Sequence, residues 1–146
     1  MQDLPHHYVV AASAAGKNNI VVSAEGLPDI ESAGPPQFGG PGGVWSPEEL
    51  LVAAVADCFI LSFRAIARTA RLEWSTLQCE VDGKLDKIEK FTQFTGFEVR
   101  ATLTIPDEKD RKKAGVILEK ADKYCLVSNS LKAASELTTK VIVEPQ

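Results

Sequence analysis

Cys58, Cys79 and Cys125 are the residues of this chain with soft nucleophilic side chains. A thiol acts on an electrophile only as the thiolate, so what surrounds each sulfur decides whether it is reactive or inert. No two of the three form a C-x-x-C pair, so neither a compact dithiol motif nor a structural zinc knuckle is encoded. An odd number of cysteines also argues against a secreted disulfide framework. Each is then either a small hydrophobe of a core or a redox-active thiol.

The elements that carry them are readable from periodicity. Trp45–Arg71, WSPEELLVAAVADCFILSFRAIARTAR, predicts a long helix of roughly 37 Å over Pro47–Arg71. Ser46 is a good N-cap, Pro47 suits the first helical position, and Glu49 completes an S-x-x-E capping box, with Trp45 and Leu50 at the staple positions. Asp57, Arg64, Arg68 and Arg71 share one narrow stripe, and nearly everything else from Leu50 to Ala67 is apolar or small. A helix with so thin a polar stripe is expected to be mostly buried. Cys58 lies inside the apolar sector, about 100° from the stripe. Glu48 lies opposite the stripe, about 80° around from Cys58. Capping accounts for Glu49 and leaves Glu48 without an equally direct role, although any first-turn acid is favoured by the helix dipole.

Before the helix, Tyr8–Ser13 and Ile20–Ala24 read as a β-hairpin around Gly16, Asn18 and Asn19, with a short strand possible near Ile30. Glu25–Val44 is a Pro/Gly-rich stretch, either a connector or a loop that closes over a site at the start of the helix. After it, Leu77–Leu85 and Phe91–Ile105 alternate as half-buried strands and form an antiparallel pair. Cys79 falls on the apolar face of the first, where a core role explains it, and Arg100 on the solvated face of the second. Pro106–Asp107 opens a second helix with Ala114, Ile117, Leu118 and Ala121 on one face. Cys125 continues that face near its end or on a short helix that follows. Leu137–Glu144 reads as a final strand.

The chain has 146 residues, 45% hydrophobic and 25% charged, which suits one domain with a real core. A net charge of −4 gives no push toward nucleic acid or membrane surfaces. No apolar run of about 18 residues is free of charge, so no transmembrane helix is expected. The first residues lack a basic segment followed by an apolar one, so no signal peptide is expected and a cytoplasmic location is. His6 and His7 have no metal-ligand spacing, and no metal or cofactor is expected.

On these patterns, Cys58 and Cys125 could still be two unrelated core cysteines. A resemblance bears on the choice. GGPGG at Gly39–Gly43, SPEELLVAAVADCF at Ser46–Phe59 and KYCLVSNSLK at Lys123–Lys132, in this order of elements, resemble the OsmC/Ohr family of thiol peroxidases over nearly the whole chain. The resemblance implies a single domain over residues 1–146 with an α+β fold: antiparallel sheets wrapped around long central helices in an intertwined homodimer. It implies a two-cysteine peroxidase in which Cys58 is peroxidatic, Cys125 is resolving, and Glu48 is the acid of the family's P-E-x-L motif. Family members carry an arginine in a G-R-D-G-x-x-V-S hairpin. Gly16–Ser23 occupies that place here, so Lys17 stands where the arginine would be. Lysine offers a mobile point charge instead of arginine's rigid fork.

The chemistry so implied needs a cation near Cys58. A free cysteine has a pKa of about 8.5, and a mid-helix residue gains nothing from the helix dipole. Lys17 is the matched candidate, positioned by Glu48, whereas Arg64 lies on the wrong face. Attack on a peroxide would give a Cys58 sulfenic acid. Cys125 would condense with it, and an external dithiol would reset the disulfide. An apolar wall of Leu51, Val55 and Phe59 would favour an organic hydroperoxide as substrate. The expected partners are that substrate, a dithiol reductant and a second copy of the chain, with neither nucleic acid nor membrane. Two alternatives stand beside this reading. One is an OsmC-like thiol protein with weak peroxidase activity that acts on another electrophile. The other is a dimeric protein that binds a small apolar ligand at its interface without thiol chemistry.

Overall fold

Three short antiparallel strands, β1 (Ala11–Ser13), β2 (Ile20–Ser23) and β3 (Ile30–Ser32), form the first sheet in a computed structural model that describes residues 1–146. The expected hairpin is present, but its first strand is shorter than the β-rich run. Tyr8, Val9 and Val10 lie outside it and are exposed. The Pro/Gly stretch is folded on itself instead of being an open connector. Pro35 O accepts from both Phe38 N and Gly40 N, and a Cβ at Gly40 would lie 1.6 Å from Gly34 O. Only glycine allows that approach.

Helix α1 (Pro47–Thr69) starts where the cap residues say it should. The Ser46 hydroxyl accepts from Glu49 N (3.1 Å) and donates to the Glu49 carboxylate (2.9 Å). Trp45, expected as a staple, is instead 52% exposed; its backbone bridges Ser32. The helix ends two residues before the expected Arg71, because Arg71 takes a left-handed conformation with φ 55°. Arg71 N then bonds Arg68 O, and Leu72 N bonds Ala67 O. This is a Schellman C-cap with arginine where glycine is usual, closed by buried Leu72 and Ala67.

Beyond the helix come β4 (Thr76–Ile88), β5 (Phe91–Ile105), α2 (Arg111–Lys123), the one-turn α3 (Leu126–Asn129) and β6 (Ala134–Val143). β4 and β5 pair antiparallel, as their alternation requires. β6 joins the other side of β5 in parallel. A parallel join needs a crossover, and α2 with α3 supplies it. α2 packs on β5 and β6.

The chain divides into two compact units, Met1–Leu51 and Val52–Gln146, with α1 running through the boundary. The main core belongs to the second. Val55, Phe59, Phe63 and Ala67 of α1 meet Phe97, Val99, Ala101, Leu103 and Ile105 of β5, and Ala114, Ile117, Leu118 and Ala121 of α2. Phe63 packs edge-on to Trp74 at 5.3 Å between centroids.

Only one face of α1 is buried, less than its thin polar stripe suggested: Leu61 is 54% exposed and most other apolar positions are half-buried. By length and composition alone the helix could cross a membrane, which the charge-based reading of the sequence had not anticipated. Its buried face nevertheless packs into a protein core, as a core helix does.

Two glycines should respond oppositely to alanine. A Cβ at Gly83 would lie 2.7 Å from Val52 Cγ2 and 3.0 Å from a Phe94 ring carbon, so Gly83→Ala should cost about 1–3 kcal/mol. Gly115, inside α2, has no atom within 4 Å of its would-be Cβ, so Gly115→Ala should add about 0.5–1 kcal/mol. Urea unfolding of the two variants checks both signs.

Candidate active site

Cys58 sits mid-way along α1, 9% exposed, with buried Val55 and Phe59 on the same face. Cys125 sits where the chain leaves α2 and enters α3. Its extended backbone (φ −63°, ψ 107°) makes it the N-cap of α3, and its carbonyl accepts Asn129 N at 3.0 Å. It is 1% exposed. Both are free thiols, and Cys58 lies close enough to Cys125 to be one of the causes that raise the Cys125 pKa. Residues distant in sequence are thus joined by α2 delivering its C-terminal end to the face of α1 that carries Cys58.

Burial pushes the Cys125 thiol up from its ordinary pKa, and the acceptor at Cys58 helps to keep the proton on Cys125. Nearby Ser128 acts in the opposite direction and lowers that pKa. Ser128 received no role in the sequence reading. The signal available for it was the C-x-x-S spacing, which places the serine one helical turn from the cysteine.

Cys79 lies half-buried on β4, opposite Ala101 of β5, and packs against the core. Burial, with a smaller contribution from nearby Cys125, raises its pKa to about 11. It is therefore a protonated, unreactive thiol near neutral pH, in keeping with its place on an alternating strand.

The other two candidates belong to the first unit. Lys17 occupies the turn between β1 and β2, in a concavity lined by Ser13, Asn18, Asn19 and Glu31. Asn19 donates to Glu31 at 3.1 Å. Glu48 lies in the first turn of α1, and its buried Oε2 has no hydrogen-bond partner. An unpaired buried carboxylate oxygen is costly and calls for a donor. Arg100 is not free to serve, since it pairs with Glu80 and with Glu98 (3.2 Å). Arg64 is exposed on the solvent stripe of α1. The expected apolar wall also changes: Val55 and Phe59 are each only 1% exposed and belong to the core, so they line no open surface.

Residues 40–140 match the family model described as OsmC-like protein. The chain is 26% identical over 143 residues to the uncharacterised protein YmaD of Bacillus subtilis (strain 168), covering 95% of each. It is 26% identical over 129 residues to an organic hydroperoxide resistance protein of Xanthomonas axonopodis pv. citri (strain 306), covering 88% of this chain and 89% of that protein. In fold it resembles the structure of an OsmC-like protein of unknown function from Vibrio cholerae. The TM-score is 0.83 at 18% identity, over 94% of this chain and 100% of that one. The match spans the helix that carries Cys58, the strands behind it and the segment that carries Cys125, and on it the chain belongs to the OsmC-like protein family.

Proposed function

We propose that the protein is a thiol-dependent peroxidase that reduces organic hydroperoxides to alcohols. The observation that carries this reading is that two buried free cysteines far apart in sequence, Cys58 and Cys125, lie near each other in the fold. The name of the Xanthomonas relative supports an organic hydroperoxide as the substrate.

In the proposed reaction the Cys58 thiolate attacks one peroxide oxygen. The O–O bond breaks, the alkoxide takes a proton and leaves as the alcohol, and Cys58 becomes a sulfenic acid. The Cys125 sulfur then displaces hydroxide from the sulfenic sulfur, giving the Cys58–Cys125 disulfide and water. An external dithiol reduces the disulfide by exchange and is itself oxidised to a disulfide. The raised pKa of Cys125 suits the order of events, because a protonated Cys125 does not compete for the peroxide. We propose Lys17 as the cation that favours the Cys58 thiolate, with Glu48 as the acid that positions it.

We also propose a homodimer. Tyr8, Val9 and Val10 are exposed beside the short edge strand β1, and Leu61 is exposed on α1, apolar surface that a second copy would cover. Light scattering at micromolar concentration should give twice the 15.8 kDa chain mass. A monomer mass would contradict it.

One variant series tests the activity. Wild type with cumene hydroperoxide should lose two thiols per chain, peptide mapping should place the disulfide at Cys58–Cys125, and Cys79 should stay reduced. Cys58→Ser should consume no peroxide. Lys17→Met should slow consumption about tenfold near neutral pH and regain part of the rate at higher pH, while Lys17→Arg keeps the rate or raises it. No thiol loss in the wild type would leave the ligand-binding alternative, and superimposable pH profiles for all Lys17 variants would remove Lys17 from the site.

A further inference from the structure

We infer that the lysine face of α2 docks an acidic protein partner, and that this partner carries the dithiol that reopens the Cys58–Cys125 disulfide. The inference rests on the two-cysteine reading above and gives its external reductant a chemical class and a place to bind.

Helix α2 carries five basic and two acidic side chains, in a chain of net charge −4. Arg111 is engaged by Glu108 at 2.8 Å, whereas Lys112, Lys113, Lys120 and Lys123 form no ion pair. All four are exposed. At 100° per residue they fall within a sector of about 100°, together with exposed Val116. Glu119 and Asp122 flank that sector on one side and pair with none of the lysines. Lys123 lies over the Tyr124 ring, 5.6 Å from its centroid, a contact that orients the ammonium group without neutralising it. Lys120 and Lys123 are one turn apart and repel each other, so the sector does not help the helix to form. A facing acidic surface would relieve the repulsion and gain steering from four charges at once.

The extent of the face selects the partner. Lys112 and Lys123 stand roughly 16 Å apart along the helix axis, too far to converge on one small anion, and they match an extended acidic surface. The apolar side of α2, Ala114, Ile117, Leu118 and Ala121, is buried in the core, so the helix has no face to sink into a bilayer. The place of the face selects the partner's chemistry. α2 ends at Lys123, and Cys125 lies two residues beyond, between exposed Tyr124 and Leu126. A partner seated on the lysines is held next to one half of the redox pair, which raises the effective concentration of its thiols there. In the exchange, one partner thiolate takes one sulfur of the Cys58–Cys125 bond into a mixed disulfide, and the bond's electron pair passes to the other sulfur, which takes a proton. The partner's second thiol then closes the partner's own disulfide and frees the first sulfur.

The test uses the full chain, oxidised with one equivalent of cumene hydroperoxide and checked for the Cys58–Cys125 disulfide by mass before any thiol is added. Two synthetic peptides serve as reductants, a Cys-Gly-Pro-Cys dithiol followed by a run of glutamates and the same dithiol followed by glutamines. At low salt the acidic peptide should reopen the wild-type disulfide about tenfold faster than the neutral one, an advantage that fades toward about 1 M salt. The combined variant Lys112→Gln, Lys120→Gln and Lys123→Gln keeps good helix formers on an exposed face. It should be reopened by both peptides at similar rates, and by dithiothreitol at the wild-type rate. Equal rates for the two peptides on the wild type, or a combined variant that keeps the preference, overturn the inference. Sedimentation of the wild type, but not the variant, with vesicles of equal parts phosphatidylserine and phosphatidylcholine also overturns it and assigns the face to lipid. Absence of the disulfide at the mass step overturns the peroxidase reading and this inference with it, and is seen before any peptide is added.

Discussion

The arrangement depends on one juxtaposition, the nearness of buried Cys125 to buried Cys58. Burial makes it usable and constrains it. Taken out of water, Cys125 holds its proton more tightly, and so does Cys79 nearby. A chain with two buried thiols and a half-buried third would be inert if burial acted alone. Polar groups must undo it locally, and Ser128 is such a group at Cys125.

The scaffold serves that contact. β5 is the most buried strand, with Val99, Ala101, Leu103 and Ile105 all at or below 2% exposure, and it is the wall on which α2 packs. Because β6 must return parallel to β5, the chain needs a helical crossover. That crossover puts the end of α2 and the cap of α3, hence Cys125, beside Cys58. The Schellman cap at Arg71 and buried Leu72 then fix where α1 stops and the sheet begins. A parallel last strand and a helix pair thus do for Cys125 what a capped N-terminus does for Cys58.

Much of this was legible in the sequence because it rests on local rules. The Ser46 cap, the alternation of β4 and β5, the core face of α2 and the place of Cys79 all follow from spacing. The end of α1 was not legible, since nothing in the type of Arg71 announces a left-handed residue. The parallel pairing of β6 depends on contacts far apart in sequence. Val55 and Phe59 were placed on a substrate wall because helical periodicity gives a face but not what covers it; the face meets the core. Lys17 was matched by resemblance alone, and Glu48 Oε2, left over by capping logic, is also left over in the folded chain. Two independent arguments therefore single out the same carboxylate.

The central claim is that Cys58 is the sulfur that takes the peroxide oxygen. The most direct test removes its partner. Cys125→Ser, mixed with one equivalent of cumene hydroperoxide in the presence of dimedone, cannot close the disulfide and should leave a trapped sulfenic acid. The account predicts one dimedone adduct per chain, at Cys58, by peptide mass mapping. An adduct at Cys79, or none while the thiols remain reduced, would contradict it.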